Sequence, residues 1–108
     1  MAKIERIIQR DFRQLLAVIE NGIVNGSASA SLEEASDFHD GDTRCSVRVF
    51  ERYSWTGGNR VSLSVTLFQN GDGPVHLSAI ATGGSQAMFF KVNTWGEEAF
   101  LEKLDELL

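Results

Sequence analysis

The sequence predicts an α+β fold: a five-stranded antiparallel sheet with an N-terminal and a C-terminal helix packed on one face, in the order α-β-β-β-β-β-α. Three observations predict it. Apolar residues recur at helical spacing near both ends of the chain, they alternate at period two through the middle, and Asn/Gly clusters mark the changes of period. At 108 residues the chain has the size of a single domain, 1–108, and 43% hydrophobic with 23% charged residues suits one buried core.

The first element is read from Ile4, Ile7, Ile8, Phe12, Leu15, Leu16 and Ile19, which form one apolar stripe. Lys3, Arg6, Arg10 and Arg13 fall on the other side. This predicts an amphipathic helix of roughly five turns. Its stop is Asn21-Gly22, where glycine accepts the left-handed conformation of a C-cap. A second Asn-Gly pair, Asn25-Gly26, turns the chain again.

From Ser27 the period is two. Ala28, Ala30 and Leu32 alternate with serines and Glu33, and the small alanines predict a helix lying close above them. The polar stretch Ser36 to Asp42 ends that strand. The next strand sets Cys45, Val47, Val49 and Tyr53 inward, against Arg44, Ser46, Arg48 and Arg52. Beyond Trp55 to Asn59, Val61, Leu63, Val65 and Leu67 alternate with Arg60, Ser62, Ser64 and Thr66. Asn70 to Pro74 then leads to Val75, Leu77, Ala79 and Ala81.

The inward residues of these last two strands are all odd-numbered, and directly opposed residues share a face. Their loop must therefore hold an odd number of residues. A three-residue loop at Asn70-Gly71-Asp72 fits, with a five-residue loop as the alternative. Gly83-Gly84 makes a further turn, and Ala87 to Val92 reads as the fifth strand. Thr94 and Glu97 then form a capping box that starts a helix carrying Phe100, Leu101, Leu104, Leu107 and Leu108 on one side.

Two segments, Asn59 to Val65 and Gly83 to Glu98, resemble a family of short bacterial proteins, a domain of unknown function. The likeness extends along nearly the whole chain, including Asn21-Gly22 and the strand with Cys45. It implies a bacterial, cytoplasmic, stand-alone domain and carries no reaction, cofactor or catalytic residue.

Charge and cysteine content narrow the function classes. A net charge of −5 argues against general attraction to nucleic acid or an anionic membrane. Residues 61–108 hold two basic residues against six acids, so an acidic, leucine-bearing C-terminal helix face is expected. No apolar run is long enough to span a bilayer. The charged N-terminus is unlike a secretory signal, and the single Cys45 excludes an internal disulfide. The expected location is the cytoplasm.

The main candidate site is the sheet face opposite the helices. Strict alternation places Arg44, Arg48, Arg52 and Arg60 there with His76, interleaved with Phe50, Phe68, Ile80 and Phe89. Guanidinium groups in that density hold carboxylate or phosphate through paired N–H donors. Contiguous apolar area marks a partner. The plainer reading is a solvated face partly covered by loops, with Phe38 as one lid.

Glu51 is expected inward, where a lone carboxylate is costly unless paired. The plainer account has a bulge or frayed strand end letting it reach water or an arginine. Asp37, His39, Asp40 and Asp42 offer oxygen ligands, but their spacing does not match a calcium loop, so they read as turn residues. Gly83-Gly84-Ser85-Gln86 lacks the lysine and following helix of a phosphate loop. Cys45 reads as a small buried hydrophobe, Trp95 as a packing anchor, and His76 lacks a carboxylate on its strand pair to orient it for catalysis.

The expectation is a non-catalytic protein-interaction or homo-oligomeric module that uses the open sheet face, with no cofactor and no metal. The alternative is a binder of a small anionic ligand, or an enzyme, with a pocket between helices and sheet.

Overall fold

A computed structural model describes residues 2–27, 29–54, 59–83 and 90–108, and the backbone alone at 54, 59 and 90–97. Its elements are β1 (Ala2–Ile8), α1 (Phe12–Asn25), β2 (Ser31–Asp40), β3 (Thr43–Ser54), β4 (Asn59–Asn70), β5 (Val75–Gly83) and α2 (Phe90–Asp105). The five strands form one antiparallel sheet in the order β1-β5-β4-β3-β2. The expected five-stranded α+β architecture is therefore present, but the order of elements differs at both ends.

At the N-terminus a strand precedes the helix. Ala2, Ile4 and Ile8 fall on the face that packs against the core, while Ile7 points the other way and is 68% exposed. Three isoleucines at positions 4, 7 and 8 fit a helical stripe equally well, and only pairing with β5 settles them: Ile4 lies opposite Ala79 and Ile8 opposite Val75. The helix begins at Asp11, whose carboxylate accepts the N–H of Gln14 at 3.0 Å. Phe12, Leu15, Ile19 and Ile23 then bury one face.

Gly22 does not stop this helix, which runs on to Asn25 and ends at Gly26, whose φ of −82° is not left-handed. What Gly22 allows is close approach. A Cβ there would lie 2.5 Å from Leu107, at the end of the C-terminal helix.

At the C-terminus, positions 87–89 of the expected fifth strand lie outside the described residues, and Phe90 to Val92 form the first turn of α2. Thr94 is consequently inside that helix rather than at its cap. Further along, Phe100, Leu101 and Leu104 close the core over β4 and β5.

The polar stretch Ser36 to Asp42 does not end β2. That strand starts later than expected and runs through Asp40, turning at Gly41-Asp42, where Gly41 has φ +60°. β4 and β5 pair odd with odd, Val65 opposite Ala79 and Leu67 opposite Leu77, as loop parity required. The last pair is Phe68 opposite His76, which leaves Gln69 and Val75 flanking the five-residue alternative Asn70 to Pro74.

β3 is where alternation misleads. Its pairing with β4 sets even residues against odd ones: Phe50 opposite Leu63, Arg48 opposite Val65, Arg52 opposite Val61. The residues between Ser54 and Asn59 are even in number, and this inverts the strand relative to the expectation. Phe50 is fully buried beneath the helices, and Cys45, Val47 and Val49 lie half-buried on the other face.

This orientation has a direct check. Phe50→Ala is expected to cost about 3–5 kcal/mol by cavity formation, and Val49→Ala about 1 kcal/mol or less, by urea denaturation. Equal losses would mean that β3 lies the other way up.

Candidate functional site

The inversion of β3 redistributes the candidate residues between two surfaces. Arg44, Arg48 and Arg52 lie on the helix side, and Phe50 is core. Arg60, Phe68 and His76 are on the open face, as expected, while Phe89 lies outside the described residues. The expected interleaving of arginines with aromatics on one face is therefore not formed, and with it goes the arrangement that would stack and neutralise a nucleic-acid strand.

Each helix-side arginine is held differently. Arg48 is buried, and burial works against its charge, but hydrogen bonds to Asp37 and Glu20 outweigh that and raise its pKa. Its Nε donates to Glu20 of α1 at 2.5 Å, and its two terminal nitrogens reach the carboxylate of Asp37 on β2 at 2.9 and 3.2 Å. Nη1 also donates to the carbonyls of Val47 and Ser36. One side chain thus ties α1, β2 and β3 together.

Asp37 in turn accepts from Ser46 Oγ at 2.6 Å, and Arg48 beside it holds its carboxyl below the usual carboxylate range, with Ser46 adding to the effect. Arg52 lies over the Phe100 ring at 4.7 Å and donates to Ser27, and burial pushes its pKa down. Arg44 lies over the Phe12 ring at 5.0 Å.

Between α1 and the β2–β3 hairpin lies a groove of about 630 Å³. Arg13, Arg44 and Phe12 line one side, His39 and Asp37 another, and Asp42 and Asp72 stand at the turns. Among the described residues, Arg13 and Arg44 have no carboxylate partner, whereas Asp37 is fully engaged by Arg48 and Ser46. The set Asp37, His39, Asp40 and Asp42 is not brought together as a ligand cage. Along β2, Asp37 and His39 share the helix side while Asp40 points the other way.

The open face is organised in rows across the sheet. One row crosses all five strands: Ile7, His76, Phe68, Cys45 and Phe38, each opposite the next. Phe38 is 60% exposed and Phe68 41%, and the Phe68 and His76 rings are 6.2 Å apart. A second row runs Glu5, Ser78, Thr66, Val47, Ser36, and a third Lys3, Ile80, Ser64, Val49, Glu34. Glu51 is on this face rather than inward, and accepts from Arg60 Nε at 2.9 Å. Strand inversion, not a bulge, delivers it there. Cys45 likewise is a half-buried member of the open row, not a core thiol.

Ile7 is the residue that sequence reasoning missed. The available signal was Asp11 followed by Gln14, a cap that starts the helix after Ile7 and frees the preceding residues to be a strand.

Fold and surfaces together define a small α+β domain whose sheet carries both helices on one face, with no helix on the other among the described residues. The chain belongs to the family of unknown function DUF6054, whose model matches residues 1–108. No curated protein and no solved structure matches it. Among the described residues, no helix is long and apolar enough to cross a membrane.

The Arg48 network makes a pH-dependent prediction. Asp37 is 58% exposed, so solvent screening limits the loss in Asp37→Asn to about 1 kcal/mol at neutral pH. Because the folded-state pKa of Asp37 is depressed, its contribution is present above the unfolded value and lost as pH falls through the folded one. Urea midpoints of parent and variant should converge in acid. A constant gap would mean that the charge contributes nothing.

Proposed function

We propose that the protein is a non-catalytic interaction module whose docking surface is the open face of its sheet. The observation that carries this is the row Ile7–His76–Phe68–Cys45–Phe38, apolar in four of its five members and running from one sheet edge to the other. An antiparallel sheet with one solvated face normally presents polar residues there, and large side chains left in water mark a partner. The inversion of β3 strengthens the reading. It exchanges Arg44, Arg48, Phe50 and Arg52 on this face for Cys45, Val47, Val49 and Glu51, the last paired with Arg60, so the face gains apolar area and loses three positive charges. The same reading takes the chain as a bacterial, cytoplasmic protein: bacterial from its likeness to a family of short bacterial proteins, and cytoplasmic from its single cysteine.

A photo-crosslinking residue at position 68 tests the face. Crosslinked adducts are expected from position 68 in the cell that makes the protein, and not from the exposed helix position Gln14. No adduct above the Gln14 control would end the proposal.

The groove favours a second reading, a site for a small anionic ligand. Two guanidinium groups without carboxylate partners, Arg13 and Arg44, face a space of the size that ligands occupy. Asp42 and Asp72 at its rim disfavour a multiply charged anion, so a monocarboxylate is the fitting class. Benzoate should shift the side-chain N–H resonance of Arg44, and Arg44→Ala should abolish the shifts of neighbouring groove amides. No shift at low-millimolar benzoate would sink this reading.

A further inference from the structure

We propose that the occupant of the open face is a second copy of the chain, packed face to face about a two-fold axis that runs along β4. The proposal rests on the reading of that face as a docking surface and names its partner. β4 is the central strand, with β5 and β1 on one side and β3 and β2 on the other. An axis parallel to it lays β1 of one copy over β2 of the other and β5 over β3, while each row stays over itself. That is the isologous contact expected of a symmetric dimer.

The rows are self-complementary under this operation. In the first, Phe68 meets Phe68 on the axis and Ile7 meets Phe38. In the second, Thr66 lies on the axis and Ser78 and Ser36 are small, which lets the sheets approach. In the third, Ile80 meets Val49, and at the two edges Lys3 meets Glu34.

Both edge charges have only local contacts within the chain. Lys3 is 3.8 Å from Glu5, and Glu34 accepts only its neighbour's backbone N–H. Their side chains are long enough to span the separation of about 10 Å between packed sheets. An axis across the strands, centred on Ser64, would set Phe68 over Arg60, which is already paired with Glu51. The axis along β4 instead sets Arg60 beside its own symmetry mate, with each charge offset by the Glu51 of its own chain.

Area supports the same occupant. Five strands about 4.8 Å apart, each with about nine residues rising about 3.3 Å, give a face on the order of 700 Å². That approaches the roughly 800 Å² per partner of a stable interface. The angle of about −30° between aligned sheets displaces the edges by a few ångströms, within reach of a Lys–Glu pair.

Sedimentation equilibrium of the purified chain tests the arrangement. The parent should be a dimer, Lys3→Glu and Glu34→Lys should each weaken it about tenfold, and the two changes together should restore it. Both residues are exposed, so folding should be unaffected, with unchanged thermal unfolding as the control. Independently, Ser64→Cys in a Cys45→Ser background should link to its symmetry mate through a bismaleimide about 10 Å long, while Thr82→Cys should not.

A dimer indifferent to both charge reversals, or linked from position 82 but not 64, overturns this geometry and leaves the docking face standing. A parent that is monomeric at about 100 μM overturns the second copy. Adducts from position 68 to a different protein would do the same while upholding the docking surface.

Discussion

Phe50 lies opposite Leu63, and the pairing of β3 with β4 that puts it there constrains almost everything else in the molecule. With Phe50 in the core, every even residue of β3 must share its face, so Arg44, Ser46, Arg48 and Arg52 run beneath the helices. Three guanidinium groups under a helical roof need accommodation. Arg48 finds two carboxylates, while Arg44 and Arg52, both half-buried, rest on the rings of Phe12 and Phe100. The odd residues are sent to the other face, where Cys45, Val47 and Val49 are half-buried beside the exposed Phe38 and Phe68.

Much of this architecture was written locally. β4 and β5 alternate so regularly that their inward residues and loop parity follow from the sequence alone, and the apolar stripe from Phe12 to Ile19 defines a helix. The failures share one physical cause, which is that their arbiters are distant. Ile4, Ile7 and Ile8 suit two periods, and only β5 chooses between them. In β3, valines alternating with arginines point the valines inward by the usual cost of burying charge. Glu20 and Asp37, from two other elements, cancel that cost. The candidate site suffered accordingly: Phe68, His76 and Arg60 lie where alternation put them, and the arginines and Phe50 of β3 do not.

The outcome is a sheet whose two faces use their side chains differently. Beneath the helices the arginines of β3 border the core, join α1 to the hairpin β2–β3 and line a groove. On the other face apolar side chains lie in rows that the antiparallel register aligns from edge to edge, with charges at Lys3, Glu34 and the Arg60–Glu51 pair. A single change of parity in β3 would mix the two sets again, at the cost of placing Glu51 in the core beside Val61 and Leu63 of β4. Groove and docking face are thus two products of one hairpin.

The pairing of β1 with β5 also bears on the order of assembly. β2 to β5 follow one another as a meander, so each hairpin closes through a short loop as soon as its second strand is made. β1 has no such neighbour. Ile8 must meet Val75, and every residue of the helix and three strands intervenes. Closing so large a loop is entropically expensive before the contacts form. The isoleucines at the start of the chain therefore emerge early in synthesis and wait longest for their strand partner. That interval is when α1, tethered beside them, can cover the apolar side of the growing sheet.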